Sequence, residues 1–529
     1  MAGLALGSWV VGRTADRLRN PLRFFGVVEV LIGVTALAVP HLLRGVESFY
    51  AEIHTRLPET LAALTLARFA CSFAILLLPT LMMGATLPLA VKSSLFREQG
   101  LGTRFSLLYA ANTAGGIAGA VLAGFYLVGG VGVSVSHQIA AALNLAVGIS
   151  ALALSATLSA RLSGPVAEPD PPSLISPTPV LIPERVRRRV LLVFALSGFA
   201  ALALEVVWFR LLLIFLPATT YAFTTMLATV LGGIAAGSAI MTPRMRGNRD
   251  WVRTLARLQM ATAVVALLSL TALAHTYRAG WRTSGMIQGS VLAIFPATAL
   301  MGAAFPVGMY LWAKDAGERG TRLAGRIGSL NAVNLCGAIV GSVIGGFVVL
   351  PLLGSRLGLV AIAAVYLGCA VLLLAILPDR RSGARAGAIG AAAFALAALS
   401  LPDPFAAVLA RRYPGEQLLW REEGVQTTVT VHRRPEGVQA LYLDGLHQAS
   451  DSPEMVELHR RIGHLPLALH ASPKTALVLG LGGGATAGAV SQHREIEVDL
   501  VELAPSVIRG ASWFRHINYD LLGQPGVRL

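Results

Sequence analysis

The hydrophobic pattern of this chain changes character at about residue 400. Ahead of that point it carries apolar runs long enough to cross a bilayer, which takes about 20 residues at 1.5 Å each. They lie near 24–43, 66–91, 105–128, 134–158, 190–216, 221–241, 254–274, 286–313, 326–350 and 355–377, and a shorter Ala-rich run at 386–402 is a further candidate. Beyond Pro402 the period shortens. Val425 to Val431 alternates as a strand does, Arg434-Pro435-Glu436-Gly437 has turn chemistry, and Ala440 to Leu443 reads as a second strand. Asp451-Ser452-Pro453 suits the start of a helix over Glu454 to Leu469. A strand from Thr475 to Leu479, the loop Gly480-Leu481-Gly482-Gly483-Gly484, a helix from Ala485 and a strand ending at Glu502 follow. The expected fold is a polytopic α-helical membrane bundle, then a small β-sheet and an incomplete Rossmann-like α/β unit.

Composition agrees with a membrane assignment. Hydrophobic residues make up 55% of the chain, charged residues 13%, and the mean hydropathy is +0.66, far from the balance of a soluble protein. The net charge of +15 raises the question of nucleic acid, but the basic residues cluster at alternate turnarounds between apolar runs. Arg13, Arg17, Arg19 and Arg23 form one cluster, Arg185, Arg187, Arg188 and Arg189 another, and Arg380, Arg381 and Arg385 a third. Positive charge of this kind marks cytoplasmic ends, so the basic set is expected to face the cytoplasm of a membrane crossed many times, with lipid rather than nucleic acid as the partner. Cys71, Cys336 and Cys369 lie inside apolar runs without ligand or disulfide spacing and read as packing residues. No metal site is expected.

The membrane part repeats itself. Gly3-Leu4-Ala5-Leu6-Gly7-Ser8 matches Gly233-Ile234-Ala235-Ala236-Gly237-Ser238, and Met83-Gly84-Ala85-Thr86-Leu87-Pro88 matches Met301-Gly302-Ala303-Ala304-Phe305-Pro306. Asn112, Gly115, Gly119, Gly124, Phe125 and Gly132 match Asn334, Gly337, Gly341, Gly346, Phe347 and Gly354 at one constant offset. Two repeated halves are expected. The second has a helix, 190–216, ahead of its glycine block; the first opens at that block, so roughly forty residues are expected to be missing at the amino end. The domains expected are a first half at 1–158, a cytoplasmic linker at 159–189, a second half at 190–378, an extra apolar segment and linker at 379–414, and a terminal domain at 415–529.

Polar groups within the runs are the candidate membrane site, because a charge at mid-bilayer costs about 2.5 kcal/mol or more. Glu29 and Gln259 occupy matched runs, Asn112 matches Asn334, and Glu205 stands near Arg210. These six positions suit either a midplane ligand site or a structural role, in which Glu205 and Arg210 neutralise each other and the asparagines bridge helices. Gly115 with Gly119, and Gly337 with Gly341, read as close-packing positions. In the terminal domain, the glycines let the backbone approach a ligand, and Glu502, about twenty residues on, suits ribose hydroxyls. His432, His447, His470, His493 and His516 have no metal-ligand spacing, and Glu422-Glu423 reads as a solvated edge.

Two resemblances sharpen this reading. Residues 12 to 23, Gly-Arg-Thr-Ala-Asp-Arg-Leu-Arg-Asn-Pro-Leu-Arg, resemble the cytoplasmic loop motif of the major facilitator superfamily. Leu443-Asp444-Gly445-Leu446-His447-Gln448, His459, His464-Leu465-Pro466-Leu467, the Gly480 loop and Val501-Glu502 resemble the spermidine synthase (polyamine aminopropyltransferase) family. Together they look like bacterial proteins that fuse a transporter-like bundle to a spermidine-synthase-like domain. The second resemblance implies aminopropyl transfer from decarboxylated S-adenosylmethionine to a diamine such as putrescine. Gly480, Gly482, Gly483, Gly484, Glu502 and Gln426 would line the nucleoside site, Gln448 and His459 the substrate groove, and the domain would pair as a homodimer. The chain departs from that family at Ala485, where an aspartate is usual, and at Leu458, where a tyrosine is common. The family's catalytic aspartate is expected beyond Leu529, so activity of this chain is not expected. A transporter with a nucleoside- or polyamine-sensing domain is the alternative.

Overall fold

A computed structural model describes all residues except 16, 55–60, 94–100, 163–181, 217–219, 246–248, 277–282 and 319–322. Most of the expected linker, part of the 12–23 motif and several loop arginines therefore lie outside the described residues.

Eleven helices form the bundle: α1 (Ala2–Ala15), α2 (Pro21–His54), α3 (Leu61–Lys92), α4 (Leu101–Val121), α5 (Val128–Leu162), α6 (Glu184–Phe215), α7 (Thr220–Arg244), α8 (Trp251–Thr276), α9 (Thr283–Glu318), α10 (Leu323–Ile344) and α11 (Leu350–Leu374). After them come α12 (Arg380–Leu399) and the short α13 (Pro404–Arg412). Among the described residues nine helical stretches are long and apolar enough to cross a membrane, and α12 is one of them. The run at 386–402 is thus a helix of spanning length that begins at Arg380, where Asp379 caps it by accepting from Ser382 N at 3.2 Å.

Fewer spans than apolar runs are counted because helix passes directly into helix at two places. Wider π-turns at Leu122–Leu127 and Gly345–Val349 join α4 to α5 and α10 to α11. A kink follows each, at Gly132 (φ 82°) and Gly354 (φ 70°). Such backbone is open to glycine and strained for other residues, which explains why glycine stands at both matched positions.

Helix contacts are set by small residues. At Gly7 on α1 an added Cβ would lie under 3.0 Å from the carbonyl of Leu81 on α3, and at Gly237 on α7 it would meet the carbonyl of Ala299 on α9 in the same way. Gly337 and Gly341 on α10 meet the backbone of α6 at Ala195 and Phe199, whereas Gly115 and Gly119 on α4 have nothing within 4 Å among the described residues. In the bilayer, where lipid removes the hydrophobic drive between helices, such backbone approach supplies the attraction. The largest buried cluster gathers Leu204, Leu211, Met226, Leu267, Ile294 and Tyr366 around Trp208, whose Nε1 donates to Ser269 Oγ at 2.9 Å.

The polar candidates are dispersed. Asn334 does bridge helices, its Nδ2 donating to the Phe194 carbonyl on α6 at 3.0 Å. Asn112 is exposed and makes no such bond among the described residues. Gln259 is buried at 2% exposure, and its Oε1 has no partner among the described residues. Glu29 and Glu205 are half-buried and make no ion pair among the described residues. Neutralisation of Glu205 by Arg210 is not what happens. The guanidinium of Arg210 turns instead to the terminal domain, donating to the Val425 carbonyl at 2.8 Å and lying 3.8 Å from Asp444 Oδ1.

That domain starts with an antiparallel sheet of β1 (Gln417–Glu423), β2 (Thr428–Arg433), β3 (Gln439–Leu443) and β4 (Leu446–Ser450), paired in chain order. Helix α14 (Pro453–Leu469) leads to a parallel sheet of β5 (Thr475–Leu479), β6 (Glu497–Val501) and β7 (Val527–Arg528). Between β5 and β6 lies α15 (Ala485–Ser491); between β6 and β7 lie α16 (Pro505–Ala511) and α17 (Arg515–Asn518). One core joins the two sheets, with Val429, Val431 and Leu441 packed with Leu500, Val507 and Phe514.

The domain rests on one end of the bundle. Glu423 Oε2 accepts from Ser355 N at 2.8 Å, directly after the Gly354 kink, and Arg411 donates to the Ala274 carbonyl near the end of α8. Glu422 pairs with Arg509 on α16. The pair Glu422-Glu423 is therefore no solvated edge: one carboxylate is spent inside the domain and the other at the bundle. Because the Arg210 side chain is only 11% exposed, losing its bonds leaves acceptors without partners at a cost of about 1–3 kcal/mol. Arg210→Ala is expected to raise hydrogen exchange at residues 425–430 while the thermal melting of the bundle stays unchanged.

Candidate functional site

The glycine loop is built from the strand end outward. Gly480, Gly482 and Gly484 have φ of 85°, 55° and 85°, values that L side chains rarely adopt. Gly480 N donates to the Val501 carbonyl at 2.8 Å, tying β5 to β6, and Gly484 N donates to the Leu481 carbonyl at 2.8 Å, closing the bend. Gly483 leaves room for Ala449 of β4, since an added Cβ would come within 3.2 Å of the Ala449 methyl.

Glu502 is aimed at this bend. Its Oε2 accepts from Leu481 N at 2.8 Å and its Oε1 from Ala504 N at 2.9 Å. Each oxygen spends one lone pair on an amide and keeps capacity for a second donor such as a hydroxyl. On the other side of the loop, His459 Nδ1 lies 3.0 Å from Thr486 Oγ1, at the start of α15. The turn bearing Gln426 packs against α16, where a Cβ on Gly424 would stand 2.9 Å from Ser506 Oγ. Gln426 itself is exposed.

Gln448 is placed differently. Tyr442 pairs with His447 and Leu441 with Ala449, so Gln448 is the extra residue of a β-bulge, a device that re-aims a side chain. It is exposed, while its neighbour Ala449 faces the loop. Ala485 is buried at 6% exposure in the shared core, and Leu458 is exposed at 51%.

Two residues to which the sequence pattern assigned no role hold the site together. Asp444, at φ 47° beside Gly445 at 74°, accepts from Thr428 N and from Thr427 Oγ1, both at 2.9 Å, and so pins the Gln426 turn. The Asp-Gly turn signal was available to find it. Asn518 is buried and donates to the carbonyls of Gly483 at 3.1 Å and Ala511 at 3.0 Å. Nothing in local sequence marks it, since its partners are remote along the chain. A cavity of about 690 Å³ runs along α14 past Val456, Arg460 and His464; the glycine loop does not line it.

The histidines are more engaged than their spacing implied. His432 Nδ1 lies 2.9 Å from Glu416 Oε2, and the Tyr442 hydroxyl donates to the same carboxylate at 3.0 Å. Burial pushes the His432 imidazole below its usual range, against the pull of Glu416, and burial lowers His447 as well. The same burial raises the Tyr442 hydroxyl to about 12. His493 lies 2.9 Å from His464, and His516 lies 2.9 Å from Asp451. A histidine depressed in the folded state binds protons better when unfolded, so protonation favours unfolding. The domain is expected to lose stability as pH falls below about 6.5, read as faster hydrogen exchange across β2, and His432→Gln should flatten that dependence.

Strand β5, the glycine bend, α15 and β6 thus form one continuous unit, closed by the Glu502 carboxylate at the bend. No family model matches the chain. Polyamine aminopropyltransferases of Yersinia pseudotuberculosis serotype O:1b (strain IP 31758) and Yersinia pestis (strain Pestoides F) are 32% identical to it over 94 residues, which is 18% of this chain and 31% of each relative. The chain thus spans less than a third of the length of these curated relatives. The solved structure of a spermidine synthase in complex with the transition state analogue AdoDATO is 23% identical, over 21% of this chain and 39% of the other, at a TM-score of 0.20. The nucleoside transporter NupG is 15% identical over 71% of this chain and 96% of its own, at a TM-score of 0.33.

Proposed function

We propose that this protein is a membrane-bound, spermidine-synthase-like protein whose terminal domain holds an adenosyl nucleoside in a Rossmann-like pocket. The observation that carries this reading is the Glu502 carboxylate bracing the glycine bend at Leu481 N, 2.8 Å away. The region of likeness to polyamine aminopropyltransferases supports it. The donor is decarboxylated S-adenosylmethionine or a related nucleoside, the acceptor a diamine such as putrescine. In that chemistry an amine nitrogen attacks the propyl carbon beside the sulfonium. The C–N bond forms as the C–S bond breaks, the thioether nucleoside leaves, and the amine proton passes to a base. Glu502 holds the ribose, Gly480, Gly482, Gly483 and Gly484 shape the floor, and Gln426, Gln448 and His459 border the groove. None of these is assigned as the base.

The carrier is a bundle of two related halves, of major-facilitator type, in a bacterial inner membrane, with the terminal domain able to pair as a homodimer. Support comes from matched packing at Gly7 and Gly237, and from matched kinks at Gly132 and Gly354. The test uses the full chain purified in detergent. Calorimetric titration with methylthioadenosine is expected to give saturable binding, and absence of both binding and any spermidine-like product would remove the enzyme-derived reading.

A second reading, a transporter or exporter whose domain senses a nucleoside or polyamine, is favoured by the ties of the terminal domain to α6, from Arg210 to the Val425 carbonyl, and to α11, from Ser355 N to Glu423. Its test is polyamine flux in vesicles carrying Glu29→Gln or Asn334→Ala. Unaltered flux in both counts against it.

A further inference from the structure

We propose that the terminal domain lies on the extracytoplasmic face of the membrane, so that its groove takes a nucleoside or polyamine present outside the cytoplasm. The inference rests on the nucleoside-site reading for the ligand class, but its topological part stands on geometry and charge alone.

Chain direction and contacts locate the domain. It touches the carboxy-terminal end of α6 through Arg210 and the kinked amino-terminal part of α11 through Ser355, and α13, which leads into it, meets the carboxy-terminal end of α8 where Arg411 donates to the Ala274 carbonyl. Arg356 on α11 donates to the Leu401 carbonyl at 2.7 Å, just past the end of α12. All four helices present the same end of the bundle. The opposite end carries the basic clusters: Arg185, Arg187, Arg188 and Arg189 open α6, Arg244 closes α7, and Arg380 opens α12.

Among the described residues at the domain's end, Arg44, Arg210, Arg356 and Arg411 are bound to carbonyl oxygens and Arg68 and Arg412 lie over the rings of Tyr50 and Tyr413, so they are structural contacts rather than free loop charges. Lysine and arginine in short loops remain on the cytoplasmic side, which puts the basic end inside and the domain outside. Helix α12 makes this consistent, since its spanning length carries the chain from the basic end back across to the domain. A sulfonium donor made in the cytosol would reach this groove only after export, whereas an external nucleoside or polyamine meets it directly.

The test is cysteine accessibility in intact cells producing the full chain. Glu457→Cys lies on the exposed surface of α14, Arg381→Cys on the exposed start of α12, and the parent chain controls for Cys71, Cys336 and Cys369. With a membrane-impermeant maleimide, Glu457→Cys is expected to label in intact cells as fully as in permeabilised ones, and Arg381→Cys only after permeabilisation. Any other pattern overturns the proposal. Protease added outside spheroplasts of the parent chain gives an independent readout: loss of the terminal domain supports the assignment, and full protection with cleavage only after lysis overturns it. Neither measurement depends on ligand, so a failure to bind nucleoside and a failure of sidedness are separately visible.

Discussion

Gly237→Ala is expected to destabilise the bundle strongly, whereas Gly115→Ala, a chemically identical change in another membrane helix, is expected to be neutral. At Gly237 the new methyl would stand 2.7 Å from the carbonyl carbon of Ala299 and 2.9 Å from Ala303 N. These are backbone atoms, so no rotamer change relieves the clash and α7 must move off α9. Overpacking of this kind costs about 1–3 kcal/mol, occasionally more. The same displacement breaks the bond from Ser238 Oγ to the Gly302 carbonyl, 2.7 Å long and buried. At Gly115 nothing stands within 4 Å among the described residues, and alanine favours helix over glycine by about 1 kcal/mol. Thermal unfolding in detergent reads both: Gly237→Ala should melt well below the parent or fail to purify as a single species, and Gly115→Ala should melt at or slightly above it. Equal tolerance at the two sites would mean that close approach of α7 and α9 is not what holds the bundle together.

This contrast also marks how far the sequence could be read. Apolar runs located nearly every membrane helix, because burying a polar backbone in lipid leaves helix as the solution for a single chain segment of that length. What they could not locate was continuity, since the π-turns at Leu122–Leu127 and Gly345–Val349 leave no gap in hydrophobicity. Small-residue spacing identified close packing at Gly337 and Gly341 but could not distinguish them from Gly115 and Gly119, whose surroundings depend on a neighbouring helix rather than on the stripe itself. The spans from α2 to α5 are correspondingly less covered, with 22% to 28% of their apolar windows buried against 44% to 56% for those from α6 to α11.

In the terminal domain, strands β2, β3, β5 and β6 were legible from alternation and turn chemistry. Strand β1 was not. Its Trp420-Arg421-Glu422-Glu423 segment is charged because Arg421 bonds Asp403, Glu422 bonds Arg509 and Glu423 bonds α11, partners that no local pattern reveals. Strand β4 hid behind its bulge at Gln448. The glycine bend and Glu502 were readable because their roles are local in sequence, about twenty residues apart on neighbouring strands. The clamp at Asn518 and the outward turn of Arg210 depend on the assembled fold.

Glu502→Gln is expected to weaken nucleoside binding about 10- to 100-fold, the equivalent of roughly 1.5–3 kcal/mol for hydrogen bonds to a charged acceptor. The carboxylate now offers an oxygen to each of two amides, Leu481 N and Ala504 N. Glutamine keeps the shape and one acceptor but points an NH2 at the second amide, setting donor against donor. Because Leu481 sits inside the bend, the substitution loosens the bend as well as removing charge from the side proposed to face the ribose. Two readouts separate these effects: methylthioadenosine affinity by calorimetry, and hydrogen exchange of residues 480–484 without ligand. Asp499→Asn, on the same strand but paired outward with Arg528 at 2.7 Å, serves as the control and should leave both unchanged. If Glu502→Gln bound nucleoside as tightly as the parent while exchange in the bend rose, Glu502 would be a structural brace alone, and the ribose contact would have to be sought among Gln426, Gln448 and His459.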